Sequence, residues 1–167
     1  MNMMKIEDMT QICNADLSHP QHAEAIVSLL NGYAMDPMGG GQPLSAFAKE
    51  NLVATLARRS DIHVVLAFVD DEPAGLAICI EGFSTFACQP LLNIHDLTVA
   101  GKFRGRGISR LLIRQVEQVA LGLGCCKITL EVLSGNQPAR ALYQSTGFVG
   151  YELNPAMGQA VLLQKKL

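Results

Sequence analysis

The sequence predicts one α/β domain of the mixed α+β kind, in which helices flank a mixed, mostly antiparallel sheet. Its 167 residues (1–167) suit a single domain, and 49% of them are hydrophobic, enough to form a sizeable core. Hairpin patterns occur in the middle of the chain and at its end. Between them lies a strand–helix–strand unit, whose crossover requires a parallel strand pair.

The first third of the chain predicts one weak strand and two helices. Residues 4–13 form the strand, and a helix follows from His22 to Tyr33, where apolar residues recur at helical spacing. Three consecutive glycines and two prolines make 34–44 a flexible loop. A second helix spans 45–59. The apolar stripes are Ala23, Ile26, Val27 and Leu30 in the first helix and Phe47, Leu52, Val53 and Leu56 in the second.

The middle of the chain predicts a hairpin, an irregular segment and a long strand. Residues 63–69 and 74–80 form the hairpin around the turn 70–73. Residues 81–90 are irregular, and 91–99 form a strand with alternating faces. Regular alternation predicts one face with Asn93, His95, Leu97 and Val99, and the other with Leu92, Ile94, Asp96 and Thr98.

The last third predicts two helices around a strand, followed by a hairpin. An amphipathic helix runs from Ile108 to Leu123, and Gly124 ends it. Residues 127–133 form the next strand, and a helix with Pro138 in its first turn ends at Thr146. The remaining residues form a second hairpin.

The charge is divided along the chain. Residues 1–90 carry 4 basic and 11 acidic side chains, whereas residues 91–167 carry 9 basic and 4 acidic ones. The net charge of −2 argues against a nucleic-acid-binding protein. Five of the basic residues lie between Lys102 and Arg114 with no acid among them, which favours a small anionic ligand.

Other features exclude metal and membrane classes. The five cysteines include no C-x-x-C pair, and the four histidines form no metal-ligand motif. The N-terminus is too polar for a signal peptide, and no apolar run reaches the length of a membrane span. We therefore expect a soluble cytoplasmic protein with no metal, nucleic-acid or membrane partner.

The strongest motif is the basic turn 104–109, which joins a strand to a helix. The first amides of a helix lack internal partners and attract anions, and glycines let a phosphate approach them. A Walker A loop is excluded because the turn is not followed by Gly-Lys-Ser/Thr. A dinucleotide-binding G-x-G-x-x-G motif does not match, because Arg110 stands where the third glycine is required. The turn fits R-x-x-G-x-G/A, with Ser109 as a departure; alternatively, it is a solvated basic turn.

A second motif lies one helix and one strand further on. Asn136, Ala139, Tyr143, Gly147 and Phe148 match Asn-x-x-Ala-x-x-x-Tyr followed by Gly-Phe. Together the two motifs resemble those of the GCN5-related N-acetyltransferase (GNAT) superfamily. The resemblance implies the GNAT fold, with a splayed parallel strand pair, and acetyl transfer from acetyl-CoA to an amine in a ternary complex.

The resemblance also implies where coenzyme A binds. The pantetheine arm would lie between strands 91–99 and 127–133, and the pyrophosphate would lie on the basic turn. Arg110 and Arg114 would either meet the adenosine phosphates or remain solvated. The implied cofactor contacts are Leu97, Thr98, Val99, Arg104, Gly105, Arg106, Gly107, Ile108, Ser109, Asn136 and Tyr143.

The chemistry needs an acid, an oxyanion donor and a base. By resemblance, Tyr143 is the general acid for the leaving thiolate, and the N–H of Leu97 bonds the carbonyl oxygen. His95 is the first candidate for the base, because an imidazole suits proton removal near neutral pH. Asp96 and Glu81 are the alternatives.

The acceptor pocket is expected to form from the acidic half of the chain. In the family, the first two helices and the segment before the cofactor strand shape the acceptor pocket, which here implies loops 34–44 and 81–90. Asp36, Glu81 and Phe83 are the candidate contacts for a small cationic amine. A catalytically silent CoA-binding module, a protein N-terminal or lysine acetyltransferase and an interaction domain are the alternatives. The family also leaves monomer and homodimer open.

Overall fold

The protein folds around one five-stranded sheet within the residues that the structure, a computed structural model, describes: 10–150, 154, 156 and 162–166. Two short 3-10 helices, Pro37–Gly39 and Gly101–Phe103, lie in connecting loops. In chain order the main elements are β1 (Thr10–Asn14), α1 (Pro20–Met35), α2 (Ala46–Leu56), β2 (Ile62–Val69), β3 (Glu72–Ser84), β4 (Gln89–Val99), α3 (Ile108–Gly122), β5 (Ile128–Leu130) and α4 (Gln137–Ser145).

The strands lie in the order β1-β2-β3-β4-β5. The first four pair antiparallel, and β5 pairs parallel to β4 after the crossover through α3. This confirms the predicted mixed sheet with one parallel pair. The β4–β5 ladder is short and ends where Ile94 pairs with Leu130, so that the two strands separate beyond this point.

Two apolar layers cover the sheet. The amphipathic helix α3 packs on one face through Ile108, Leu112 and Val116, all 1% exposed or less. On the other face, α1 contributes Ala25, Ile26 and Leu29 to a second cluster, joined by Leu56 of α2. The α3 stripe agrees with its prediction, but Phe47, predicted in the α2 stripe, is 74% exposed.

The β3–β4 hairpin is longer than predicted. Residues 81–90 were expected to be irregular, whereas β3 continues to Ser84 and β4 starts at Gln89, leaving a turn of only four residues. Glu81 pairs with Leu92 and Ser84 with Gln89. The Gly, Ser and Pro residues of this segment suggest a loop, but cross-strand pairing outweighs their weak strand propensity.

A β-bulge in β4 corrects the predicted strand faces. Asp96 pairs with Ile78, whereas Ile94 pairs with Cys79, so that His95 is the extra residue. Ile94 therefore shares the α3 face with Leu97 and Val99. The predicted face with Asn93, His95, Leu97 and Val99 is wrong, because the bulge reverses the alternation at His95.

About half of the predicted C-terminal hairpin lies outside the described residues. The strand predicted at 127–133 is shorter in the structure, where β5 ends at Leu130. Among the described residues, no helix combines the length and apolar character needed to cross a bilayer, and no group of three or more metal-ligating side chains lies together.

Candidate active site

The two predicted motifs meet in one cleft. Its volume is about 600 Å³, and its walls come from α1 with the loop after it, the end of β4, the β4–α3 turn with the first turn of α3, and α4 with its N-cap. The lining residues that the sequence predicted are Asp36, Leu97, Thr98, Val99, Arg104, Gly105, Gly107, Ser109, Arg110, Asn136, Ala139 and Tyr143.

The floor of the cleft is the open edge of β4. The Ala100 N–H donates to the Ala74 carbonyl at 2.9 Å, so the alternating backbone of an antiparallel strand directs the Leu97 and Val99 groups away from β3. They point toward β5, which has already ended at Leu130. An extended ligand can therefore form backbone hydrogen bonds with β4 here, as another strand would.

The β4–α3 turn forms an anion site from its backbone. Gly105 and Gly107 have φ values of 76° and 85°, in the left-handed region that favours glycine. Gly107 is the N-cap of α3 and has no side chain to bond the first amides, so the positive end of the helix stays open. Ile108 is buried in the core, so only its backbone can serve an anion.

The arginines of this turn have different surroundings. Arg104 lines the cleft, where its Nε donates to the Val99 carbonyl at 3.1 Å and its Nη2 bonds the Asp36 carboxylate at 2.9 Å. Arg106 is exposed, and its guanidinium lies 5.4 Å from the centre of the Phe103 ring. Arg110 lines the cleft, but Arg106 and Arg114 are not among its lining residues.

Helix α4 contributes Asn136 and Tyr143 to the cleft. Asn136 is the N-cap of the helix, and its Oδ1 accepts a bond from the Ala139 amide at 3.2 Å. Its side-chain nitrogen is then the group that can donate to a ligand. Burial, and to a lesser extent Tyr33, raises the pKa of Tyr143, so that its hydroxyl is neutral at physiological pH.

Tyr33 is a site residue that the sequence did not predict. It lies on α1, lines the cleft and is half-buried. Burial first, and then the charges of Asp96 and Asp36, raise its pKa. Tyr33 thus lies within electrostatic reach of Asp96 on β4 and, as the raised pKa of Tyr143 indicates, of α4. Its only sequence signal was a place at the end of a helix, just before the glycine-rich loop.

The candidate bases lie in different environments. Asp96 is on the α1 face of the sheet, and burial raises the pKa of its carboxyl group. His95, at the bulge, is exposed, and neither His95 nor Asp96 is among the lining residues of the cleft. Glu81 is on the opposite face from Asp96, where its Oε2 lies 3.6 Å from Nε2 of His63.

The three residues predicted to contact the acceptor do not lie together in the structure. Asp36 lines the cleft, but both of its carboxylate oxygens have partners: Oδ1 accepts from the Met38 amide and Oδ2 from Arg104. Glu81 and Phe83 are not among the lining residues, and Phe83 is 60% exposed near the tip of the β3–β4 hairpin. The longer hairpin accounts for this, because it carries Phe83 on a strand rather than on a loop.

Known proteins share this architecture. The acetyltransferase (GNAT) family profile matches residues 27–148. A thialysine N-epsilon-acetyltransferase of Caenorhabditis elegans is 29% identical over 131 residues, covering 78% of this chain and 79% of that protein. A streptothricin acetyltransferase of Streptomyces lavendulae is 36% identical over 90 residues, covering 54% and 46% of the two chains.

Solved structures of acetyltransferases have a similar fold. An aminoglycoside acetyltransferase, meta-AAC0020, from an uncultured soil metagenomic sample and in complex with sisomicin, superposes with a TM-score of 0.79 over 97% of this chain and 99% of that chain. At 18% identity, the match concerns the fold alone. The family match and the acetyltransferase relatives together show that the chain belongs to the acetyltransferase (GNAT) family and is an N-acetyltransferase.

Proposed function

We propose that the protein transfers the acetyl group of acetyl-CoA directly to the amine of a small molecule within one ternary complex. One observation carries this proposal: a single cleft joins the anion site of the β4–α3 turn, the open edge of β4 and Tyr143. The first two suit a pyrophosphate and an extended arm, and the third suits proton donation.

The residues of the cleft fit coenzyme A. The amides at the start of α3, with Arg104 and Arg110 beside them, would hold the pyrophosphate. The backbone of Leu97 and Val99 would bond the arm from one side, and the Asn136 amide would donate from the other. When bound, acetyl-CoA supplies an activated thioester.

Two donors serve the charges that develop during transfer. The Leu97 N–H points into the gap between the strands and can bond the carbonyl oxygen as it becomes negative. The Tyr143 hydroxyl, kept neutral by burial, can give its proton to the leaving thiolate. A free alkylammonium, with a pKa of about 10.4, must lose a proton before it can attack.

Among the three candidate bases, the surroundings favour Asp96 over His95 and Glu81. Asp96 lies on the α1 face, within electrostatic reach of the Tyr33 hydroxyl in the cleft. Its raised pKa makes its carboxylate a better proton acceptor than an ordinary aspartate. His95 remains the alternative, because the bulge places it next to Asp96 in the strand.

A direct reaction is favoured over an acetyl-cysteine intermediate. The residues lining the cleft include no cysteine. Burial, with the charge of Asp96, raises the pKa of the Cys79 thiol to about 12, so that it is not a thiolate at neutral pH. Both observations support direct transfer from the thioester to the amine over transfer through an acetylated cysteine.

Two features support a small amine as acceptor. The cleft, at about 600 Å³, has the size of a small-molecule site, and Tyr33 and Met38 give its acceptor side aromatic and apolar groups. Two relatives are named as acetyltransferases of thialysine and of streptothricin, which are small molecules.

Thiol release from acetyl-CoA tests the proposal. The purified protein is incubated with acetyl-CoA and a panel of lysine analogues, diamines, aminoglycosides and basic peptides. We expect saturable release with at least one small amine. Binding of coenzyme A without release for any amine, or release with peptides alone, would contradict it. Exposed Cys88 and Cys126 react with thiol reagents, so reactions without acceptor set the background.

A further inference from the structure

An ion pair crosses the mouth of the cleft. It joins Oδ2 of Asp36, after α1, to Nη2 of Arg104, in the β4–α3 turn, at 2.9 Å. The Nε of Arg104 also donates to the Val99 carbonyl at 3.1 Å. The Arg104 guanidinium, although more than half exposed, is thus held from two sides by separate elements.

Asp36 is itself held firmly. Its Oδ1 accepts from the Met38 amide at 2.9 Å, and its own N–H donates to the Tyr33 carbonyl at 3.0 Å. Its carbonyl accepts the N–H groups of Gly39 and Gly41. The Met38 amide, and then Arg104, lower the pKa of the Asp36 carboxyl, which stays ionised at neutral pH. A fixed carboxylate is a suitable anchor for a long, flexible side chain.

The held guanidinium keeps donors for a ligand. A guanidinium carries five N–H donors. Val99 takes one and Asp36 takes one, and the rest can bind phosphate oxygens beside the amides of α3. Because the side chain is already ordered, it loses less conformational freedom when a phosphate binds.

We propose that Asp36 is a positioning residue of the cofactor site, which holds Arg104 in the orientation that receives the pyrophosphate of coenzyme A. This inference rests on the proposed function and assigns Asp36 to the cofactor rather than to the acceptor amine. It also follows that the glycine-rich loop after α1 supports the cofactor site from across the cleft.

The test compares Asp36→Asn with a matched control. Asparagine keeps an oxygen for the Met38 amide and removes the charge that holds Arg104. Glu72→Gln is the control, because it breaks the Lys102–Glu72 ion pair in the same region, and neither residue lines the cleft. Calorimetry measures the Kd of each variant for coenzyme A and for pantetheine, which lacks the pyrophosphate. Circular dichroism checks that each variant is folded.

We expect Asp36→Asn to raise the Kd for coenzyme A about fivefold without changing that for pantetheine, because only coenzyme A has the pyrophosphate that Arg104 would contact. Glu72→Gln leaves both Kd values unchanged. In an Arg104→Gln background, Asp36→Asn has no further effect, because the residue acts through Arg104.

Three results would overturn the inference. They are an unchanged or lower Kd for coenzyme A in Asp36→Asn, an effect that persists in the Arg104→Gln background, and an increase only in the KM of the amine, which would make Asp36 an acceptor residue. A wild-type protein that does not bind coenzyme A would contradict the proposed function itself, and the inference with it.

Discussion

The two walls of the cleft use different groups. The wall formed by the β4–α3 turn and the edge of β4 offers mainly backbone, at Gly105, Gly107, Leu97 and Val99. The wall formed by α1 and its loop offers side chains, with Tyr33 as the central one. Backbone groups suit the constant parts of a cofactor, whereas side chains can distinguish one acceptor from another. We therefore propose that the first wall, called the cofactor wall below, binds coenzyme A and that the second, called the acceptor wall, selects the amine.

The largest expected effect concerns Tyr143, which lies where the walls meet. Tyr143→Phe removes the proton donor but keeps the ring that packs edge-to-face on Phe148, with centroids 5.7 Å apart. We expect kcat to fall by about 100-fold, a usual loss for a general acid, with little change in the Kd for coenzyme A. Steady-state kinetics and calorimetry measure the two quantities. Unchanged turnover across the pH range would remove Tyr143 from the mechanism.

A second experiment on catalysis, with an expected effect of similar size, decides whether Asp96 or His95 is the base. If Asp96 accepts the proton, Asp96→Asn lowers kcat by about 100-fold, and His95→Gln keeps the acidic limb of the pH–rate profile. Profiles of both variants between about pH 6 and 9 measure this. Loss of the acidic limb in His95→Gln alone would instead assign the base to His95.

A smaller effect tests the cofactor wall. Gly105→Ala places a side chain at φ 76°, where space is open but the backbone is strained, at a cost of about 1 kcal/mol. Shifting the turn displaces the amides, and we expect coenzyme A to bind about tenfold more weakly. Gly101→Ala, also in open space but without a positive φ, is the control and should bind normally. Equal Kd values for both variants would contradict a backbone-made site.

Tyr33→Phe should affect the opposite wall alone. The substitution removes a hydroxyl and keeps the ring, so we expect a several-fold rise in the KM of the amine, about 1 kcal/mol for one hydrogen bond. The Kd for coenzyme A should stay the same. A change in the Kd for coenzyme A with an unchanged KM for the amine would reverse the assignment of the two walls.

The smallest effect is a pH dependence of stability. Burial raises the pKa of Asp96, so its contribution is fully present below its unfolded pKa and is lost as pH rises through its folded pKa. Asp96→Asn should therefore be as stable as the wild type at acid pH and more stable at neutral pH. Denaturant unfolding between about pH 4 and 8 measures the difference. A variant that is less stable than the wild type at neutral pH would contradict this.

The cofactor wall could be predicted from sequence because its signals are local. The turn 104–109 and the helix 136–148 carry their glycines, their cap and their tyrosine within short segments, and the backbone of each segment follows from them. The parallel strand pair could also be predicted, because a strand–helix–strand unit requires a crossover between parallel strands.

The acceptor wall depends on tertiary packing instead. The bulge at His95 changes which face receives Asp96, and nothing in the alternating pattern of the strand indicates an extra residue. The position of Tyr33 depends on how α1 packs on the sheet. The prediction that the acidic half binds the acceptor and the basic half the cofactor was also too simple, because Asp36 of the acidic half bonds Arg104 of the basic half.

A crystal structure of the protein with coenzyme A tests the central claim most directly. We predict the pyrophosphate on the amides of 105–109 beside Arg104, the arm along Leu97 and Val99, and the thiol next to the Tyr143 hydroxyl. Coenzyme A bound elsewhere, or bound in the cleft with its thiol away from Tyr143, would contradict it.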